Sequence, residues 1–131
     1  MKIIRLGAVL GSALAATSLL AASPATAASG SVDAIGGGAR TWFGDADNIV
    51  IVSDRLGDYH GAVGWIEIKQ ADGSWNQRPA TRIYVGAGEG SFQSIPVTVN
   101  REAADVRLVS CLQDGASGSP WNCNRKIISG S

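Results

Sequence analysis

Nitrogen and sulfur ligands, the side chains that hold transition metals, are scarce in these 131 residues: one histidine, two cysteines and one methionine. His60, Cys111 and Cys123 cannot close a zinc site without carboxylates, which excludes the common structural zinc motifs. No basic cluster exceeds Arg125-Lys126, and 11 basic residues balance 11 acidic ones. That leaves nothing to build the clustered positive surface a nucleic acid or an anionic membrane would require. There is no Gly-x-Ser-x-Gly nucleophile elbow beside His60, Asp54 and Asp58, so a Ser-His-Asp reading has no marked nucleophile. The stretch Gly86-Ala87-Gly88-Glu89-Gly90-Ser91 lacks the Lys-Ser/Thr ending of a phosphate loop and carries Ser91 at the third Rossmann position. It reads as a flexible hairpin loop, and no cofactor is implied. No window sustains a helical period; Glu102-Ala103-Ala104 offers one turn at most.

What the chain does have begins at its N-terminus. Lys2 and Arg5 precede an uncharged run from Leu6 to Ala22, and Ala25-Thr26-Ala27 follows Pro24 as a small-x-small cleavage site. This is the three-part pattern of a secretory signal peptide over residues 1–27, with a mature start near Ala28. The apolar run is short for a membrane span of ~20 residues, and no second one follows, so no membrane insertion is expected after cleavage. The expected product is secreted, monomeric and slightly acidic, since Lys2 and Arg5 leave with the signal. In an oxidising compartment the two remaining cysteines have one intramolecular pairing available, Cys111–Cys123.

Residues 28–40 (ASGSVDAIGGGAR) are small and Gly-rich, and are expected to form a flexible N-terminal lead, loosest at Gly36–Gly38, with order beginning near Trp42. Residues 41–131 are expected to form a single domain. There, β-branched or alternating runs occur at 48–54, 62–69, 74–77, 81–85, 92–99, 105–112 and 121–129. Gly, Asp and Pro separate them, including the Asp72-Gly73 hairpin signal. Seven short strands in that length predict an all-β, antiparallel β-sandwich of immunoglobulin-like type, with a small closed β-barrel as the alternative. Ile95, Val97 and Val99 share one face of their run, as do Val106, Leu108 and Leu112 of theirs.

Two sets of residues carry site candidates. Asp45, Asp47, Asp54 and Asp58, with Asn48, are oxygen ligands of the kind calcium takes, but they do not follow a twelve-residue calcium loop, and acidic turns need no metal to explain them. In AVGWIEIK, Ile66 and Ile68 claim the core face and Trp65 falls with Glu67 and Lys69. In TRIYV, Tyr84 falls with Arg82. Trp65 and Tyr84 are therefore expected on a solvent face as a ligand-stacking surface, the alternative being that Trp65 packs under its neighbours.

The run Val52-Ser53-Asp54-Arg55-Leu56-Gly57-Asp58-Tyr59-His60-Gly61-Ala62-Val63, the turn Asp72-Gly73-Ser74-Trp75, and the ending Val106–Cys111 with Trp121-Asn122-Cys123 together resemble a group of small secreted actinobacterial β-sandwich proteins. The resemblance spans about 80 residues and carries no catalytic residue with it. Members of that group often have a further early cysteine, and Ser53 stands at the corresponding position. The expected function is a secreted, non-catalytic protein that binds an extracellular glycan or protein or associates with the envelope. The alternative is a small secreted inhibitor of a hydrolase or protease, presenting the Gly115–Pro120 loop.

Overall fold

The computed structural model describes residues 29–100 and 104–129. The signal segment 1–27 and most of the Glu102–Ala104 turn lie outside the described residues. Eight strands follow in order: β1 Ser29–Asp33, β2 Ala39–Gly44, β3 Ile49–Asp54, β4 Gly61–Lys69, β5 Trp75–Val85, β6 Phe92–Pro96, β7 Val106–Gln113 and β8 Trp121–Ile128. They form two antiparallel four-stranded sheets, β1-β2-β3-β6 and β5-β4-β7-β8, which are not closed into a barrel. The fold is therefore a β-sandwich, two-layered as in an immunoglobulin domain and with its own strand order.

The sandwich core follows from strand alternation. Val50 and Val52 of β3 and Phe43 of β2 point inward from the first sheet, and meet Ile66 and Ile68 of β4, Val106, Leu108 and Leu112 of β7, and Ile83 and Val85 of β5. Ile95, Val97 and Val99 pack against the same core, as their alternation predicts. A side-chain hydrogen bond ties the layers together: Thr41 Oγ1 donates to the Val109 carbonyl at 2.8 Å, wholly buried. This contact needs Gly64, where any Cβ would collide with Thr41 Oγ1 and with Val52.

Two expectations about the chain path are corrected. Within the expected flexible lead 28–40, the described residues 29–40 are built into the sheet: Ser29–Asp33 is strand β1, in register with β2 from Ser29↔Gly44 to Asp33↔Arg40. Gly36 and Gly37 have positive φ in the β1–β2 turn, and Gly38 is a close-packing point whose Cβ would meet Leu112 and Asp58. Small residues are used there because the backbone is crowded, not because it is loose. Secondly, the runs 74–77 and 81–85 belong to one strand, β5. Its ladder with β4 jumps from Ile66↔Arg78 to Gly64↔Ile83, so residues 79–82 bulge out between the two halves. Pro79 sits in this excursion, on an edge strand where its missing N–H is tolerated.

Cys111 and Cys123 form the disulfide, joining β7 to β8 beside the register shift in their ladder. No helix among the described residues is long and apolar enough to cross a membrane.

Candidate functional site at the loop end

Trp65 lies on the face that alternation assigns to it, the outer face of the second sheet, but it is not exposed. It retains 3% of its accessible surface. β4 is an inner strand, so Trp65 has neighbours on both sides: Val63, Val109 and Cys111 form a small second core with it, flanked by Tyr84 and Cys123. The β5 excursion then lays the Arg82 guanidinium over the indole, 4.1 Å from the ring centroid. The indole N–H donates to Glu67 Oε2 at 3.1 Å, and Glu67 Oε1 accepts from Arg107 Nε at 2.6 Å. Arg107 in turn stacks on Trp75. The expectation of an exposed Trp65 is overturned because periodicity names a face and not what lies beside it.

Tyr84 is half-buried, and its ring is slotted between Gly61 and Gly86, where a Cβ at either position would strike it. Its hydroxyl accepts the Gly115 N–H at 3.2 Å and so holds the start of the β7–β8 loop. The weak calcium set is not gathered. Asp45 and Asp47 lie in the β2–β3 turn, while Asp54 ends β3 and Asp58 lies in the loop after it, roughly 15–20 Å away along a six-residue strand. No group of three or more His, Cys, Asp or Glu among the described residues could hold a metal ion.

The concentration of unusual features is at one end of the sandwich. Four connections meet there: 34–38, 55–60, 86–91 and 114–120. Six large hydrophobic side chains are exposed among the described residues, and five of them, Ile35, Leu56, Tyr59, Phe92 and Trp121, lie at this end. Tyr59 is fully exposed (103%) and has φ +66°, a left-handed conformation unfavourable for a bulky residue. Strain of this kind persists where the surroundings over-determine it, and it clusters at binding sites.

These loops enclose a cleft of about 540 Å³, lined in part by Asp54, Leu56, Tyr59, His60, Tyr84 and Asp114. His60 Nδ1 and Asp114 Oδ1 are 2.5 Å apart, a hydrogen-bonded pair that bridges the β3–β4 and β7–β8 loops. Asp114 raises the His60 pKa above its ordinary value, chiefly through that hydrogen bond. The imidazole also meets the Trp121 ring edge-to-face, centroids 4.9 Å apart. The pair clasps the two loops together. Asp114 is not the carboxylate its sequence neighbourhood suggests; Asp58 instead accepts the His60 backbone N–H at 3.1 Å.

Asp54, a calcium candidate by sequence, is placed by the structure as a buried carboxylate of the cleft instead. It occupies the third inward-facing position of β3, after Val50 and Val52, and retains 3% of its accessible surface. Its backbone is pinned to the β5–β6 loop by the Asp54 N–H to the Ser91 carbonyl and the Gly90 N–H to the Asp54 carbonyl. Its side chain receives one long hydrogen bond among the described residues, 3.4 Å from the Leu56 N–H to Oδ1. Burial first, and then the charges of Asp58 and Glu89, raise its pKa above the ordinary carboxylate value. The Gly86–Ser91 stretch is no nucleotide loop: it crosses from β5 in one sheet to β6 in the other, with no helix after it.

No protein-family model matches this chain, and neither a curated protein nor a solved structure matches it.

Proposed function

We propose that the chain is exported and acts as a non-catalytic extracellular binding protein whose ligand surface is the loop end of the sandwich. The observation that carries this reading is the segregation of exposed apolar side chains: Ile35, Leu56, Tyr59, Phe92 and Trp121 lie in or beside the connections at one end of the two-sheet scaffold, and Leu56 and Tyr59 line the cleft there. The signal-peptide pattern of residues 1–27 and the Cys111–Cys123 bond support export. Trp65 no longer supports a ligand face, and Tyr84 contributes as a wall of the cleft.

One feature favours a hydrolase as the target. Residues 114–119 are exposed within the disulfide loop, and the loop is held in shape by Gln113 Nε2, which donates to the Gly115 and Ala116 carbonyls, and by the Tyr84 hydroxyl. A pre-shaped, pinned loop loses little entropy on docking, as an inhibitory loop requires. The test is calorimetry of the mature protein against cell-wall polysaccharides and secreted hydrolases, with Tyr59→Ala/Trp121→Ala in parallel. The reading expects a ligand bound by the native protein and lost by the double variant. A ligand bound equally by both would contradict it.

A further inference from the structure

The β5 excursion and the disulfide loop line a second groove, of about 460 Å³, on the outer side of the second sheet. Gln77 and Arg82 face it from β5, Gln113 and Ala116 from the loop side, and Val63 of β4 lies between them. Each wall is held by a glutamine. Gln77 Nε2 donates to the Ala80 carbonyl at 2.9 Å, and Gln113 Nε2 donates to the Gly115 carbonyl at 2.9 Å. Arg82 is held as well: its guanidinium lies over the Trp65 indole, and its Nε makes a long hydrogen bond to Gln77 Oε1, 3.4 Å. Among the described residues no acceptor meets its two Nη groups and no carboxylate pairs with it. A solvated arginine usually swings freely. This one is fixed beside a groove with the donor end of its fork unused.

We propose that this groove binds a carboxylate of a partner polypeptide, docked on the Arg82 guanidinium. It is a second surface, distinct from the loop-end cleft although Tyr84 lines both. Three observations select the occupant. The planar guanidinium fork matches the two oxygens of a carboxylate, and an arginine already stacked in place loses little freedom on binding. The sheet that carries it is basic, because the fold gathers cations that are scattered along the sequence. Its four strands hold Lys69, Arg78, Arg82, Arg107, Arg125 and Lys126 against one acid, Glu67. Glu67 is itself engaged by the Trp65 N–H and by Arg107, so the field over this sheet draws an acidic partner. Lastly, Val63, Ala80 and Ala116 give the groove an aliphatic lining, while the Trp65 indole keeps 3% of its surface beneath Arg82. That lining suits the methylenes of a peptide, and the covered indole leaves no ring face for a sugar to stack on.

The test is nuclear magnetic resonance titration of the folded, oxidised protein with two acetylated alanine peptides. One carries a central glutamate and an amidated end; the other has a free C-terminal carboxylate. They separate an acidic side chain from a chain terminus as the source of the carboxylate. The uncharged controls carry glutamine or an amidated end, and inorganic phosphate and trigalacturonate are the competing anions. The expected result is saturable shifts of the Trp65 indole N–H and of the Gln77 and Gln113 side-chain amides with at least one carboxylate peptide, weakened by salt. Affinity should fall about tenfold or more in Arg82→Gln, the loss expected of a charge-assisted pair. Arg82→Lys keeps a cation over Trp65 and so keeps the fold, but it loses the planar fork and should still bind several-fold less tightly. Arg125→Gln, on the same sheet but outside the groove, should change affinity little. Absence of saturable shifts, equal binding of the uncharged controls, tighter binding of phosphate or trigalacturonate, full affinity in either Arg82 variant, or an equal loss in Arg125→Gln would each overturn the proposal. The loop-end reading stands or falls apart from it, since neither Tyr59 nor Trp121 lines this groove.

Discussion

At the residue scale, Trp65 and Asp54 occupy positions whose environment reverses what their type suggests. Trp65 shares its strand face with Glu67 and Lys69, yet Arg82, Val109 and the disulfide side chains cover it. Trp65→Ala should therefore lower stability by about 3–5 kcal/mol, the range for deleting a large buried aromatic. A denaturant midpoint that barely moves would show that the Arg82 cover is loose. Asp54 behaves in the opposite sense. Its pKa is raised in the folded protein, so the folded state holds more protons than the unfolded one between the ordinary value of 3.8 and the raised value. Stability contributed by this group therefore falls as pH rises through that window, and it stays lost at neutral pH. Asp54→Asn removes the penalty and keeps an oxygen for the Leu56 N–H. The variant should be more stable than the native protein at pH 7 and equal to it below about pH 3.8, the ordinary carboxylate value. Thermal unfolding at both pH values checks this, and a less stable variant at pH 7 would mean the carboxylate is satisfied in the fold.

At the element scale, legibility in the sequence followed the size of the side chains. β3, β4, β7 and β8 carry β-branched or alternating apolar residues and lie close to where those patterns put them. β1 was hidden because Ser29–Asp33 is held by its ladder to β2 and not by its own propensity, and because its edge must stay thin: a Cβ on Gly30 would press on Ile128 of β8. β5 reads as two strands in the sequence because its excursion at 79–82 interrupts the pattern, and that same excursion lays Arg82 over Trp65. The Cys111–Cys123 bond was legible from cysteine arithmetic alone, and it closes the loop that carries Asp114. Cys111→Ser/Cys123→Ser should lose about 2–4 kcal/mol. It should also release the 114–120 loop, seen as faster amide exchange at Gly115. Unchanged exchange there would assign the loop's order to Tyr84 and Gln113 instead. Gly64→Ala, which breaks the approach of Thr41 to the Val109 carbonyl, should destabilise by roughly 1–3 kcal/mol or more, as overpacking does. An unchanged urea midpoint would mean that the layers adjust around the added methyl.

At the scale of the whole molecule, the two ends of the sandwich are unlike. One carries the turns 45–48 and 70–74 and, among the described residues, exposes one large hydrophobic side chain, Ile127 near the end of β8, whereas the other gathers Ile35, Leu56, Tyr59, Phe92 and Trp121. This asymmetry was not legible in the sequence, because it depends on which connections share an end. His60 pairs with a carboxylate 54 residues later, and Tyr84 reaches a backbone amide 31 residues later. Local reading could place His60 only beside Asp54 and Asp58. The most direct test of the account is amide hydrogen exchange of the mature protein, alone and with the ligand found by calorimetry. Protection should rise in 34–38, 55–60, 86–91 and 114–120 and be unchanged in 45–48 and 70–74. Protection confined to the outer face of the second sheet, around Glu67, Trp75 and Arg107, would contradict the account and place the binding surface there.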